Sequence, residues 1–316
     1  DFIGSYNKAY ENFEKSNKII DDFGIKKKIN KNVFRDLIKK RIEYFVKSDF
    51  KNWSNINFLD NRNDPIFIIG FPRSGTTLLD TILRSHPSVE VIEEEPIIDE
   101  FIKSLEKKIN YNLKNLENIR EDTIEEMRNF YFNERNKFIK DKANKFVYID
   151  KMPLNVIHIG EFLRFFPKSK FIFALRHPYD SVLSCFMQNF TPNNAMINFT
   201  NINDACYLYD LVMQLWIKYK KLFSLNVHTV KYEDVVNDFD KSISNLLKFL
   251  KLEWSDDVRE FYKTAKKRNI INTPSYNQVN LPLYKKSINR WKNYKNKFSE
   301  SKEILEKWVK IFNYES

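Results

Sequence analysis

Short runs rich in β-branched and aromatic residues alternate with longer helical stretches after Pro65, and this alternation constrains the fold more than any other feature. The predicted strands are 65–70, 145–150, 170–175 and 226–232, with 89–94 as a possible fifth. Helical patterns separate them at 76–85, 121–140, 154–165 and 203–224. Strands that alternate with helices form βαβ crossovers and therefore a parallel sheet. We expect an α/β fold of three layers, with a central parallel sheet flanked by helices.

The first 60 residues have a different pattern, with apolar side chains at helical spacing in 5–20 and 32–46 and a break near Gly24. This pattern predicts an N-terminal helical pair, the possible end of a helical-repeat array, although one pair establishes no repeat. We therefore divide the chain into a helical segment at 1–60 and a second domain at 61–316. Because the chain starts at Asp1 and not at Met, we expect a trimmed or partial chain.

The net charge of +11 predicts anionic partners. We expect no nucleic-acid partner, because the sequence has no zinc-finger spacing, no RNA-binding aromatic run and no basic zipper. The four histidines form no ligand set, so we expect no metal. No apolar run approaches the roughly 20 residues that span a bilayer. Cys185 and Cys206 lie in apolar helical context as free thiols, which favours a cytoplasmic protein.

The stretch IFIIGFPRSGTT (66–77) runs from a predicted strand through a glycine-containing turn into a helix. This geometry directs several backbone N–H groups at one anion. A nucleoside-triphosphate loop has Lys where Thr76 stands, whereas the cation here comes earlier, at Arg73. A 5′-phosphate that carries a singly charged sulfuryl group needs less neutralisation than a triphosphate, so the loop favours metal-free transfer from a phosphosulfate. A P-loop kinase is the alternative, with Asp150 as its candidate metal-holding acid.

A second candidate anion site follows in FALRHPYDSVLS (173–184), where a predicted strand ends and a helix begins. Pro178 suits the first helical turn, and Asp180 suits the positive end of the helix. Arg176 lies at the carboxyl edge of the sheet, where ligands bind in open α/β folds, and Ser184 lies on a helical face that can turn toward it. Alone, the segment is equally a capped helix with a surface Arg. With the first loop it indicates a nucleotide with phosphates at both ends of its ribose.

Three consecutive carboxylates, Glu93, Glu94 and Glu95, follow the anion loop in SHPSVEVIEEEPIIDE (85–100). Sulfuryl transfer to a hydroxyl needs a base near the acceptor oxygen, and a partly desolvated carboxylate can serve. The alternative is an acidic run stabilised by the dipole of a helix that starts at Pro96. The residues alone leave open which of the three is the base.

Four segments occur in an order that resembles sulfotransferases that use 3′-phosphoadenosine 5′-phosphosulfate (PAPS): FPRSGTTLL, ALRHPYDSVLS, VKYEDVV and TPSYNQVNLPLYKKSINRW. The chain is most similar to bacterial members whose domain follows tetratricopeptide repeats, related to protein-tyrosine sulfotransferases. The resemblance covers roughly 1–295, and residues 296–316 carry no motif. It implies a P-loop-like fold, a PAPS-dependent sulfotransferase domain at 61–316, PAPS as cosubstrate and its desulfated product, PAP, as the bound nucleotide.

The resemblance also implies the residues that contact the nucleotide. The loop for the 5′-phosphosulfate consists of Arg73, Ser74, Gly75, Thr76 and Thr77. The matched 3′-phosphate clamp consists of Arg176 and Ser184. Three further matched positions near the nucleotide are Tyr232, Ser275 and Arg290.

The resemblance also implies which residues are catalytic. Glu94 matches the base, and Lys151 matches a lysine that stabilises charge on the bridging oxygen, assisted by Arg73 and Ser275. The family often has Gly before the acid, whereas Glu93 stands here. We expect in-line displacement onto a tyrosyl, sugar or small-molecule hydroxyl. The sequence leaves open whether the protein forms a homodimer. The alternatives to an active sulfotransferase are the kinase and a catalytically inactive repeat-type binding protein.

Overall fold

Five parallel strands form one sheet in the computed structural model, which describes residues 4–45, 62–141, 144–267, 283 and 287–315. The strands are β1 (Ile66–Gly70), β2 (Val89–Glu93), β3 (Val147–Lys151), β4 (Lys170–Leu175) and β5 (Asn226–Lys231). Their order is β2-β3-β1-β4-β5. The predicted α/β class and parallel sheet are confirmed, and the possible fifth strand is real and forms one edge. Central β1 pairs with β3 and β4, so the strand order reverses beside it, where open α/β sheets bind ligands.

Helices surround the sheet and precede it. They are α1 (Tyr6–Lys26), α2 (Lys31–Tyr44), α3 (Thr76–Ser85), α4 (Ile97–Ile109), α5 (Glu121–Phe138), α6 (Ile159–Phe165), α7 (Pro178–Phe186), α8 (Ile202–Leu222), α9 (Tyr232–Asn237), α10 (Phe239–Leu250), α11 (Phe261–Lys267) and α12 (Lys302–Ile311). The predicted helix at 154–165 is a 3₁₀ segment, Pro153–His158, followed by α6. Another 3₁₀ segment, Arg290–Ser301, leads directly into α12.

The sheet buries a separate apolar layer on each face. Alternate β1 residues point to opposite sides, with Phe67 in one cluster and Ile68 in the other. Phe67 stacks on Phe162 of α6 at 4.2 Å between ring centroids, in the layer that also contains α5, α7 and α8. The other layer holds side chains of α3, α10 and α11. The expected three layers are therefore present.

The N-terminal helical pair lies against this body. In α1, Tyr10 stacks on Phe186 at 4.9 Å, and the buried Asn17 Nδ2 donates to the Phe186 carbonyl at 2.9 Å. In α2, the Arg41 guanidinium reaches Glu161 of α6 at 2.6 Å, and both side chains are buried. The helical pair predicted at the N-terminus is thus observed, while the domain division at residue 60 and membership of a repeat array stay predictions. Within the described ranges, no helix combines the length and apolarity needed to cross a membrane.

Candidate active site

The residues singled out by the sequence gather at the carboxyl edge of the sheet. Strand β1 ends at Gly70 and leads into the anion loop, while β3 ends at Lys151. Lys151 is the Cα partner of Glu93 in β2, and it pairs with Ile68 of β1 on its other side. The carboxyl ends of parallel strands meet at one edge, so the acidic run and the loop lie one strand apart.

The loop between β1 and α3 adopts backbone that few residues tolerate. Gly75 caps α3 in the left-handed region at φ 96°, and a Cβ there would lie 3.0 Å from Tyr232 Cδ2. Arg73 also has positive φ, at 66°. Helix α3 begins at Thr76, as predicted, and Thr76 and Thr77 are both buried in its first turn. The loop thereby sets the N-terminal N–H groups of α3 beside two hydroxyls, which is an arrangement that can bind anions.

Hydrogen bonds join the two predicted anion sites into one. Arg73 Nε donates to Ser184 Oγ at 3.1 Å, which connects the loop to α7. Arg176 Nη1 donates to the Arg73 carbonyl at 3.1 Å. The Arg176 guanidinium carbon lies 5.0 Å from the centre of the Tyr232 ring, within cation–π range. The structure therefore places Arg73, Arg176, Ser184 and Tyr232 in a single contiguous group.

Arg290 joins this group from the far end of the chain. Burial lowers the pKa of its guanidinium, and the charge of Arg176 lowers it further. Arg176 Nη2 also donates to the Ser287 carbonyl at 2.6 Å. Two partly buried guanidinium groups at one edge form a site for a multiply charged anion.

Lys151 lies between two carboxylates and is fully buried. Its Nζ donates to Glu94 Oε1 at 2.7 Å and lies 3.4 Å from Glu93 Oε1. The Glu94 N–H donates to the Lys151 carbonyl at 2.8 Å, and Glu94 has φ 52°. The Glu94 side chain is 30% exposed, whereas that of Glu93 is 7% exposed. Of these two acids, Glu94 is therefore the one that an incoming hydroxyl reaches more easily.

Ser275, the remaining predicted site residue, lies outside the described residues. Sequence reasoning missed other contacts that build the site. Asp180, expected only to favour its helix end, accepts from the Asn289 and Trp291 N–H groups at 2.8 and 2.9 Å. Residues 296–316, which carry no motif, also contribute, since Tyr314 donates to Glu233 Oε2 at 2.9 Å. The only sequence signal for this anchoring was the aromatic Trp291 beside a basic residue.

Two buried polar atoms of the site are placed to bind an anion. Among the described residues, the buried Ser74 Oγ has no hydrogen-bond partner, and neither has Arg176 Nε. These donors sit beside the two-arginine group, so oxygens of a bound phosphate would satisfy them. Within the part of the chain that is described, no group of three or more His, Cys, Asp and Glu side chains could hold a metal. Burial raises the pKa of the Cys185 thiol, which makes this residue a poor nucleophile at neutral pH.

Known proteins resemble this chain in sequence and fold. A model of the sulfotransferase family matches residues 65–256, more than half of the chain. An uncharacterized protein of Aquifex aeolicus (strain VF5) is 28% identical over an alignment of 327 positions. The alignment includes 96% of this chain and 40% of that protein. Protein-tyrosine sulfotransferase 1 of Danio rerio is 24% identical, over 74% of this chain and 67% of its own length. The chain thus spans less than half of the Aquifex relative.

The fold likeness extends to solved structures. The sulfotransferase domain of the Synechococcus PCC 7002 olefin synthase superposes with a TM-score of 0.50 at 19% identity. The match covers 74% of this chain and 90% of that domain. At this identity the likeness concerns the fold, a parallel sheet flanked by helices.

Proposed function

The chain belongs to the sulfotransferase family, and on that premise we propose that it transfers a sulfuryl group from PAPS to an acceptor hydroxyl. The observation that carries the proposal is the buried Lys151, bonded to the partly exposed Glu94 one strand away from an arginine-lined anion loop. A cation and a carboxylate in this position supply the two functions that the reaction needs, a stabiliser for the leaving oxygen and a base for the acceptor.

The nucleotide would lie along the carboxyl edge of β1 and β4. The loop N–H groups with Ser74, Thr76 and Thr77 would hold the 5′-phosphosulfate, because a helix N-terminus favours negative charge. Arg176 and Ser184 would hold the 3′-phosphate, with Tyr232 and Arg290 beside it. Arg73 touches both groups, since its side chain bonds Ser184 while its backbone belongs to the loop.

The residues support a single in-line displacement. Glu94 removes the proton of the acceptor hydroxyl as the acceptor oxygen forms its bond to sulfur. The bond between sulfur and the 5′-phosphate oxygen breaks, and Lys151 with Arg73 stabilises the negative charge that this oxygen gains. The products are a sulfate ester, protonated Glu94 and PAP. Lys151 has three donors, so it can contact the leaving oxygen and still keep Glu93 as its counter-ion.

The acceptor is proposed only as a hydroxyl. The name of the Danio relative makes a tyrosine-containing peptide the first candidate to test. Sugar and small phenolic hydroxyls are the other classes that a carboxylate base can deprotonate in this way.

Sulfate transfer from labelled PAPS tests the proposal directly. Purified protein is incubated without added metal with separate pools of tyrosine peptides, glycans and phenols, and labelled products are separated from PAPS. We expect label in at least one pool and no label with an Arg73→Ala/Glu94→Gln double variant. Labelled phosphate transfer from ATP in the presence of Mg²⁺, with no sulfate transfer to any pool, would favour the kinase alternative and contradict the proposal.

A further inference from the structure

Asp180, in the first turn of α7, accepts hydrogen bonds from a segment that is distant in sequence. Asp180 is 1% exposed, and its two carboxylate oxygens accept separately, Oδ2 from the Asn289 N–H at 2.8 Å and Oδ1 from the Trp291 N–H at 2.9 Å. A buried carboxylate that accepts two backbone N–H groups has little freedom to move. Both bonds flank Arg290, so they fix the backbone from which that guanidinium extends.

Aromatic rings hold the same segment from its other side. Trp291 stacks on His177 at 5.1 Å with 14° between the ring planes, and on Tyr179 at 4.5 Å with 19°. Both partner residues come from the start of α7, next to Asp180 in the chain. His177 and the first turn of α7 therefore hold the beginning of the Arg290–Ser301 segment through both backbone and side-chain contacts.

The like charges of Arg176 and Arg290 give these contacts a role. Arg176, which precedes α7, donates to the Ser287 carbonyl at 2.6 Å, three residues before Arg290, and its charge lowers the pKa of the Arg290 guanidinium. Like charges that are partly buried separate unless an anion or a rigid frame holds them. Asp180 is such an anion, and it also provides a rigid frame because it is bonded to the backbone on either side of Arg290.

We propose that Asp180 is a positioning residue that holds Arg290 beside Arg176, so that the two arginines form a preassembled site for the 3′-phosphate of the nucleotide. This inference rests on the proposed function, since it assigns a partner for one end of PAPS. Asp180 itself touches no phosphate. It acts through the backbone of the Asn289–Trp291 turn.

Calorimetric titration with two nucleotides tests the role. PAP carries a 3′-phosphate, and adenosine 5′-monophosphate (AMP) lacks it but shares the rest. In Asp180→Asn, one bond and the counter-charge are lost, so we expect PAP affinity to fall about tenfold while AMP affinity stays within about twofold, since one charge-assisted bond corresponds to such a factor. A general loss of folded structure would lower both affinities together.

A matched control is Asp210→Asn. Asp210 is a partly buried carboxylate with three donors, Trp308 Nε1 at 2.8 Å, Lys307 Nζ at 2.9 Å and Gln214 Nε2 at 2.7 Å, and it joins α8 to α12. We expect it to leave the PAP-to-AMP affinity ratio unchanged. In an Arg290→Gln background, Asp180→Asn should have little further effect on that ratio, because the residue through which it acts is gone.

The outcomes separate the inference from the function on which it rests. If the wild-type protein binds PAP no better than AMP, both are overturned. If the wild-type protein prefers PAP and Asp180→Asn keeps that preference, the inference alone is overturned. Should Asp180→Asn fail to fold, hydrogen exchange of the wild-type protein decides: the Asn289 and Trp291 amides must be protected, and exchange as fast as that of unstructured amides overturns the inference.

Discussion

Arg73 and Glu94 occupy left-handed backbone, at φ 66° and 52°, that non-glycine residues seldom adopt. Each such position is unfavourable by about 1–3 kcal/mol and persists only where surrounding contacts impose it. Arg73 is held by its bond to Ser184 and by Arg176, and Glu94 by two contacts with Lys151. Two strained residues that bear charges therefore lie at one sheet edge, and such strain clusters at functional sites.

Replacing Glu94 by Gln removes the proposed base and keeps its shape. We expect kcat for sulfate transfer to fall by about 10²–10⁴, the usual contribution of a positioned base, while the Kd for PAP changes little. The measurement combines transfer kinetics with calorimetry. Asp99→Asn, an exposed carboxylate in α4, is the control and should match the wild-type protein. Full activity in Glu94→Gln, with loss in Glu95→Gln instead, would move the base by one residue.

Asp150 gives a pH-dependent prediction. Burial raises the pKa of its carboxyl to about 7, although Tyr131 donates to it at 3.3 Å. Folding therefore favours the protonated carboxyl of Asp150. The free energy of unfolding falls as the pH rises from 3.8, the pKa of Asp150 in the unfolded chain, toward 7. Asp150→Asn removes this loss, so it should raise the free energy of unfolding at pH 8 by about 2 kcal/mol or more.

Urea denaturation at pH 8 and pH 5 measures that gain. Its size should be clearly smaller at pH 5, because wild-type Asp150 is then largely protonated in the folded state. An unchanged or lower stability of Asp150→Asn at pH 8 would contradict the assigned burial effect.

At the scale of helices and strands, periodicity explains what the sequence could predict. Strand β4 and helix α3 were predicted to the residue, because β-rich runs and the loop chemistry at Gly75 are local signals. Strand β2 was less certain, since its last residue is one of three glutamates. The contact of Asp180 with residues 289 and 291 could not be predicted, because no local pattern reports which distant backbone a carboxylate will meet.

The contact between α2 and α6 is a buried ion pair. Arg41 Nη2 lies 2.6 Å from Glu161 Oε1, and the side chains are 4% and 0% exposed. Burial disfavours the Glu161 carboxylate, yet the Arg41 cation, together with His158 and a backbone hydrogen bond, lowers the pKa of Glu161 to about 2. The pair therefore stabilises the fold above the unfolded pKa of 4.5, and this contribution is lost as the pH falls toward 2.

Arg41→Met leaves Glu161 buried without its cation. We expect a loss of about 3–5 kcal/mol in the free energy of unfolding at pH 7, measured by urea denaturation, which shrinks below pH 4.5 as Glu161 takes up a proton. An Arg41→Met/Glu161→Leu double variant removes both charges and should recover most of the loss. A pH-7 loss below about 1 kcal/mol in Arg41→Met would show that this pair does not hold α2 in place.

For the molecule as a whole, the N- and C-terminal segments complete the body that the family match covers only between residues 65 and 256. Helices α1 and α2 pack on one layer, and α12 with the preceding 3₁₀ segment, which begins at Arg290, packs against α8 and α7. The helical pair and Arg290 were predicted from the sequence, but their packing was not, because apolar and aromatic contacts between distant segments leave no local motif. The loop and the Arg176 segment were predictable, because their residue types and order serve an anion directly.

The central claim is that one site without the P-loop lysine binds a nucleotide by both of its phosphates and needs no metal. Calorimetric titration with PAP in the presence of EDTA tests it most directly, with Arg73→Ala and Arg176→Ala as variants and ATP with Mg²⁺ as the competing ligand. The account predicts saturable PAP binding without metal, weakened by each substitution and unaffected by MgATP. Absence of PAP binding, together with tight binding of MgATP, would contradict it.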